Sequence, residues 1–150
     1  MRSSVLFLLM AAAALAPAQT FLQPAGLAAG KGYTHVVITS PGRLAFISGQ
    51  VAQNAAGQMI GKGDIQAQTG QAFENLKTAL AAAGTSFDHV VKLTYFVRDV
   101  TPERLVLVRE VRNRYVNPKA PPASSLIGAA ALFHPDCLIE IEAVATVPDK

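Results

Sequence analysis

The chain has a single cysteine, Cys137, and no tryptophan. One thiol excludes any disulfide within the chain, so stability must come from core packing and assembly. Charge is scarce as well, at 15% of 150 residues, and nearly balanced: 13 basic against 10 acidic side chains, net +3. So weak a charge gives no support to a protein that binds nucleic acid or an anionic membrane. Arg104, Arg109, Arg112 and Arg114 lie close in sequence. At ~100° per residue, however, they spread around most of a helix and form no stripe. His35, His89 and His134 have no metal-ligand spacing, so no metal site is expected. A nucleophile elbow needs glycine two residues before its serine; Phe46 stands there ahead of Ser48. No apolar run reaches the ~20 residues that a membrane span requires.

What is present begins with Met1–Ala18, MRSSVLFLLMAAAALAPA. Arg2 gives a positive start, Val5–Leu15 an apolar run, and Ala16-Pro17-Ala18 a small-residue cleavage site, which together predict a secretory signal peptide. The mature chain would begin near Gln19, with net charge +3 − 1 = +2 after loss of Arg2. It would be exported, to the periplasm or beyond, with no stable membrane association. A Gly- and Ala-rich arm, residues 19–31, then precedes one domain over 32–150, a length that supports a single core.

Tyr33–Ile38 (YTHVVI) and Leu44–Ser48 (LAFIS) predict two strands around a Pro41-Gly42 turn, hence a hairpin. Asp64 caps a predicted helix over Ile65–Ala83, with Ile65, Ala72, Phe73, Leu76 and Leu80 on the apolar stripe and Gln68, Gln71, Glu74 and Lys77 on the polar side. Gly84 ends it. Val90–Val97 is a strand by composition. Thr101-Pro102 opens a second helix to about Tyr115, and a Pro-rich break over Asn117–Pro122 leads to a strand over Ser124–Leu132. The final strand is Leu138–Thr146, LIEIEAVAT. The order is β-β-α-β-α-β-β, an α+β fold with two helices on one face of a mixed sheet.

In that last strand Ile139, Ile141, Ala143 and Ala145 share one face, and Glu140, Glu142 and Val144 the other. Two helices cover one sheet face only. The other carries Thr94, Phe96, Val144 and one of Phe46 or Ile47 beside the acids, too large an apolar patch to leave wet. A second copy of the chain is the expected cover. A half-buried glutamate is also the best chemical candidate: burial prepares a carboxyl for proton transfer near neutrality. Beside Ser48 and Gly49, where glycine admits close backbone approach, such a glutamate would position water for attack on a C=N or C=O carbon. Glu140 is preferred to Glu142. Cys137 is expected to pack inertly at the strand start.

Five segments in this order, Leu44–Gln50 (LAFISGQ), Ala72–Gly84 (AFENLKTALAAAG), Val90–Asp99 (VVKLTYFVRD), Pro122–Ser124 (PAS) and Ile139–Ala143 (IEIEA), resemble the RidA/YjgF family of reactive intermediate deaminases. The resemblance spans about Gly32 to Val147. It implies a chorismate-mutase-like fold, a homotrimer with ligand clefts between subunits, and no cofactor. It also implies hydrolysis of 2-imino acids or their enamines to 2-keto acids and ammonia. Carried over residue by residue, Glu140 would activate water, Ser48 matches the serine that ends the second strand, and Tyr33 would line the cleft. After Pro122-Ala123 the family has an arginine that clamps the substrate carboxylate; here it is Ser124. Leu126 stands where relatives often have cysteine. The family's asparagine on the second helix falls near Arg109 or Val108, so Arg109 is a candidate replacement cation. A changed small-molecule substrate is expected, and the competing reading is a non-catalytic trimer that binds metabolites or unfolded chains.

Overall fold

The computed structural model describes residues 19–23, 25, 33–34, 36–39 and 42–149. The predicted signal peptide, most of the arm, His35 and Pro41 lie outside the described residues. The elements are β1 (Gln19–Leu22), β2 (Val36–Thr39), β3 (Arg43–Val51), α1 (Ile65–Ala82), β4 (Val90–Arg98), α2 (Pro102–Arg112), β5 (Ala123–Ala129) and β6 (Ile139–Val147). The main sheet has the order β3-β6-β4-β5. Its β4–β5 pair is parallel, and β6 runs antiparallel to both β3 and β4.

The predicted hairpin is not the pairing found. β3 takes β6 as its partner, and β2 pairs with β1 in a separate two-stranded sheet. Length explains the choice. β3 and β6 have nine residues each, whereas β2 has four and finds a four-residue match within the predicted arm. Gln19 Nε2 anchors that small sheet by donating to the His89 carbonyl at 3.1 Å. α2 stops at Arg112, three residues before its predicted end, and the chain continues as tight turns through Tyr115.

Both helix starts follow the sequence. Asp64 Oδ1 accepts from the N–H groups of Gln66 and Ala67 at 2.9 and 3.0 Å, satisfying donors that a helix start leaves open. Thr101 does the same for Arg104, with Pro102 in the first turn. At the far end of α1, Gly84 sits at φ +77°, where a side chain would be strained. The core lies between the helices and the sheet: Phe73, Leu76 and Leu80 of α1 and Val108 and Val111 of α2 pack on Leu93, Val97, Ile139, Ile141 and Ala145. Gln68, assigned by pattern to the polar side of α1, is fully buried. Its Nε2 donates to the Asp136 carbonyl at 2.7 Å, and its Oε1 accepts from Leu138 N at 2.8 Å. A buried amide is stable when so paired, and this one fastens α1 to the entry of β6. Cys137 is buried beside it, its Sγ 3.3 Å from the Ile139 carbonyl, and burial pushes its thiol pKa up. It packs at the strand start as expected.

The opposite face of the sheet is open. Phe46 is 76% exposed there, with Glu142 beside it and Ile127 further across. The uncovered face read from strand alternation is therefore present in the fold.

Candidate functional site

β6 presents Glu140 and Glu142 on the open face, while Ile139, Ile141 and Ala143 point into the core. β3 lies alongside. Its register with β6 runs evenly to Ile47↔Ala143, then shifts, and resumes at Gln50↔Ile141. The irregularity falls on Ser48 and Gly49, a β-bulge, which locally redirects the strand. Glycine at this bulge leaves room for a neighbouring side chain. A Cβ on Gly49 would run into Oε1 of Glu140 and lie 2.6 Å from its Cδ. The glutamate carboxyl thus rests directly on the glycine backbone, in the space a side chain would take. Ser48, exposed and next in sequence, opens onto a groove of about 260 Å³ lined by Phe46, Lys92, Thr94, Glu142 and Val144. Three predicted residues, Ser48, Gly49 and Glu140, are therefore neighbours at one bulge. The groove beside Ser48 is lined by Glu142, with Glu140 one side-chain position further along the same strand face.

Tyr33, Arg109 and Ser124 also come together, but elsewhere. They line a separate cavity of about 250 Å³ with Tyr95, Val108, Arg112 and Leu126. The parallel register places Ser124 beside Leu93 and Leu126 beside Tyr95. All four side chains thus face the helix side of the sheet, where α2 supplies Val108, Arg109 and Arg112. Tyr33 arrives from the segment before β2. Its neighbour Thr34 fixes that approach by donating from its backbone N to the Pro122 carbonyl at 3.2 Å and from its hydroxyl to the Pro121 carbonyl at 2.5 Å.

The six predicted residues thus divide into two groups, one on β3 and its neighbour β6 and the other around β5 and α2, on opposite faces of the sheet. β3 and β5 are the two edge strands. Three inter-strand spacings separate them, about 14 Å. Within one chain the two groups do not meet.

Sequence reasoning missed Tyr95 and Arg112 as cavity residues. Tyr95 was hidden by the strand pattern, which assigns it to the core, and it is indeed only 4% exposed. Its hydroxyl oxygen is buried without a hydrogen-bond partner among the described residues. Burial pushes its pKa well above the usual tyrosine value, with the Arg112 guanidinium acting weakly in the other direction. Arg112 donates from Nη2 to Asn113 Oδ1 at 2.8 Å, which holds its head group in place. Lys92, on the open face, donates to Ser125 Oγ at 2.7 Å and so lies away from this cavity. Among the described residues no group of three or more histidine, cysteine or acidic side chains is arranged to hold a metal ion.

Residues 23–147 match the family described as Endoribonuclease L-PSP. Protein DfrA of Myxococcus xanthus is 37% identical over 113 residues, 75% of this chain and 83% of that protein. A 2-iminobutanoate/2-iminopropanoate deaminase of Dermatophagoides farinae is 27% identical over 106 residues, 71% of this chain and 80% of that enzyme. Among solved structures, YyfB of Yersinia pestis, of the conserved Rid protein family, superposes with a TM-score of 0.79 at 35% identity, covering 87% of this chain and 99% of its own.

Proposed function

The chain belongs to the endoribonuclease L-PSP family, which takes in the Rid and RutC proteins, and on that premise we propose that it hydrolyses a reactive imine or enamine at a cleft completed by a second copy. One observation carries the reading. The Ser48–Gly49–Glu140 group, on β3 and β6, and the Tyr33–Arg109–Ser124 group, around β5 and α2, lie on opposite faces of the sheet. A head-to-tail contact that sets the β3 edge of one copy against the β5 edge of the next unites them, and such contacts close into rings. A homotrimer is the assembly expected from the resemblance, and the exposed Phe46 face supplies apolar surface for it.

In this cleft Glu140 takes a proton from water as the water oxygen attacks the C=N carbon. The same carboxyl returns that proton to nitrogen. The hydroxyl of the resulting carbinolamine then gives its proton, through the same carboxyl, to nitrogen as the C–N bond breaks, so that ammonia leaves and the carbon keeps oxygen as a carbonyl. General acid–base action of this kind contributes about 10²- to 10⁴-fold. The segment Met1–Ala18 supports export, so the chemistry is assigned outside the cytoplasm. A second reading, a binding protein without turnover, is favoured by one feature: Ser124 offers no fixed cation where the family resemblance implies one.

The test is turnover of freshly generated imines, anionic and neutral, by the mature chain. Glu140→Gln is expected to lower the rate by about 10²-fold or more. Arg109→Ala disables the other half. Mixing and reassembling the two variants is expected to restore about a quarter of wild-type activity, the share of interfaces that pair two intact halves. No turnover above background by wild type favours the binding reading. Turnover without recovery on mixing removes the shared cleft.

A further inference from the structure

We infer that Tyr95 sets which ligand the cavity between β5 and α2 accepts, its hydroxyl donating a hydrogen bond to the carboxylate of a small aliphatic acid while Arg109 supplies the countercharge. The biological meaning of this inference rests on the cleft reading above; the choice of ligand rests on the cavity.

The lining is one-sided in its chemistry. Tyr33, Tyr95, Ser124, Arg109 and Arg112 all carry hydrogen-bond donors, two of them are cations, and no carboxylate among the described residues lines the space. Val108 and Leu126 are the apolar remainder. A ligand that suits these walls has an acceptor-rich anionic end and a short hydrocarbon end. Arginines that stack their donors around an oxyanion give the strongest such contacts.

Within that lining Tyr95 is the fixed point. β4 is a central strand, paired at this residue to Ile141 on one side and Leu126 on the other. Its ring packs at 6.4 Å from Phe73, centroid to centroid. The hydroxyl is thus held still, and it finds no acceptor among the described residues. Buried hydroxyls are nearly always paired. Phenylalanine would fill the same core position without leaving an unpaired oxygen, so packing does not explain the choice of tyrosine. Because burial raises its pKa, the phenol keeps its proton at all ordinary pH values and remains a donor. Arg109, exposed at the rim on α2, is placed to bring charge to the same ligand. Ser124 leaves open the room that a longer side chain on β5 would fill.

The experiment measures binding rather than turnover. The mature chain, as it assembles, is titrated with butanoate and with the isosteric neutral butanamide, followed by chemical-shift changes. Wild type is expected to prefer butanoate by about tenfold or more, and Tyr95→Phe to lose about tenfold in butanoate affinity, the scale of a hydrogen bond to a charged group. Butanamide binding is expected to change little. Thermal midpoints separate this from a structural role: Tyr95→Phe is expected to melt at the same temperature as wild type or higher. Equal butanoate affinity in wild type and variant overturns the inference. So does an absence of butanoate binding, or a clear drop in the melting temperature of Tyr95→Phe. Butanoate binding that needs Tyr95, without imine turnover, leaves the cavity assignment standing and removes the hydrolase. Turnover that needs Glu140, with butanoate binding indifferent to Tyr95, does the reverse.

Discussion

The two halves of the proposed cleft are built by different means. The Glu140 half is made of backbone: two paired strands, a bulge at Ser48 and Gly49, and a carboxyl seated where a Cβ would be. The Tyr95 half is made of side chains, drawn from α2, β4, β5 and the segment before β2 around about 250 Å³ of space. The first has little spare room, because a single added carbon meets the Glu140 side chain, whose tip would have to move. The second has open space and two exposed walls, Arg109 and Leu126, beside the buried Tyr95 and Val108. Chemistry shared across a family belongs in the first kind of site, since its residues are placed by the strand pairing and the bulge. Substrate choice belongs in the second, since one wall can be exchanged while the sheet stays intact. Ser124, where the family resemblance implies an arginine, is such an exchange.

The largest effect is expected where the slack is least. Gly49→Val puts three carbons into the space that holds the Glu140 carboxyl. Either the glutamate swings away or the bulge opens. Displacement by about 1 Å costs on the order of 10²-fold in rate. Imine turnover by this variant should fall that far while butanoate affinity at the other edge stays within about twofold in the assembled protein. A variant that loses both equally shows that the halves are not separately built.

A smaller effect is expected on the side-chain half. Ser124→Arg adds a guanidinium to a cavity that already holds Arg109 and Arg112. If the room left by Ser124 is the reason this chain departs from its relatives, the variant gains selectivity for anionic over neutral imines by about tenfold, the scale of one charge-assisted contact. The rate constant for chemistry, set at the other edge, is expected to stay within about threefold. Steady-state kinetics on the two imine classes separate these quantities. A fall in kcat with no change in selectivity would mean that Ser124 belongs to the chemistry.

Much of this division was legible in the sequence, and the part that was not has a physical cause. Strand alternation in LIEIEAVAT placed Glu140 and Glu142 on the open face, as found. Asp64, Gly84 and Thr101-Pro102 marked helix ends by local rules that need no tertiary partner. Three things escaped. β2 was given to β3 because hairpins are the commonest pairing for neighbouring strands, whereas the nine-residue match between β3 and β6 is long-range. Gln68 was given to solvent because helical periodicity counts it as polar, whereas its amide is consumed by Asp136 and Leu138 across 68 and 70 residues of sequence. Alternation with Thr94 and Phe96 puts the Tyr95 ring on the core side, as found, but it carries no information on where a para-hydroxyl ends. The first two are failures of local rules against distant partners. The third is a residue whose two ends have different surroundings.

The smallest effect tests a residue that belongs to neither half. Tyr115 follows α2, stacks on Phe73 with centroids 4.7 Å apart, and donates to Glu74 Oε1 at 2.7 Å. Burial, then the hydrogen bond and the charge of Glu74, raise its pKa from 10.0 to about 12. A raised phenol pKa means the folded chain holds the proton more tightly than the unfolded chain. The stability it contributes is therefore complete below about pH 10 and is lost as pH rises through about 12. Tyr115→Phe keeps the stacking and removes the titration. At neutral pH it is expected to cost at most about 1 kcal/mol, since the hydrogen bond is largely exposed. The difference in melting temperature between wild type and variant should then shrink as pH climbs from 10 to 12, because wild type loses what the variant never had. Imine kinetics are expected to be unchanged. A shift in KM for anionic imines would break the comparison, for it would show that the end of α2 transmits core packing to Arg109 and Arg112, and that the side-chain half is less loosely built than its lining implies.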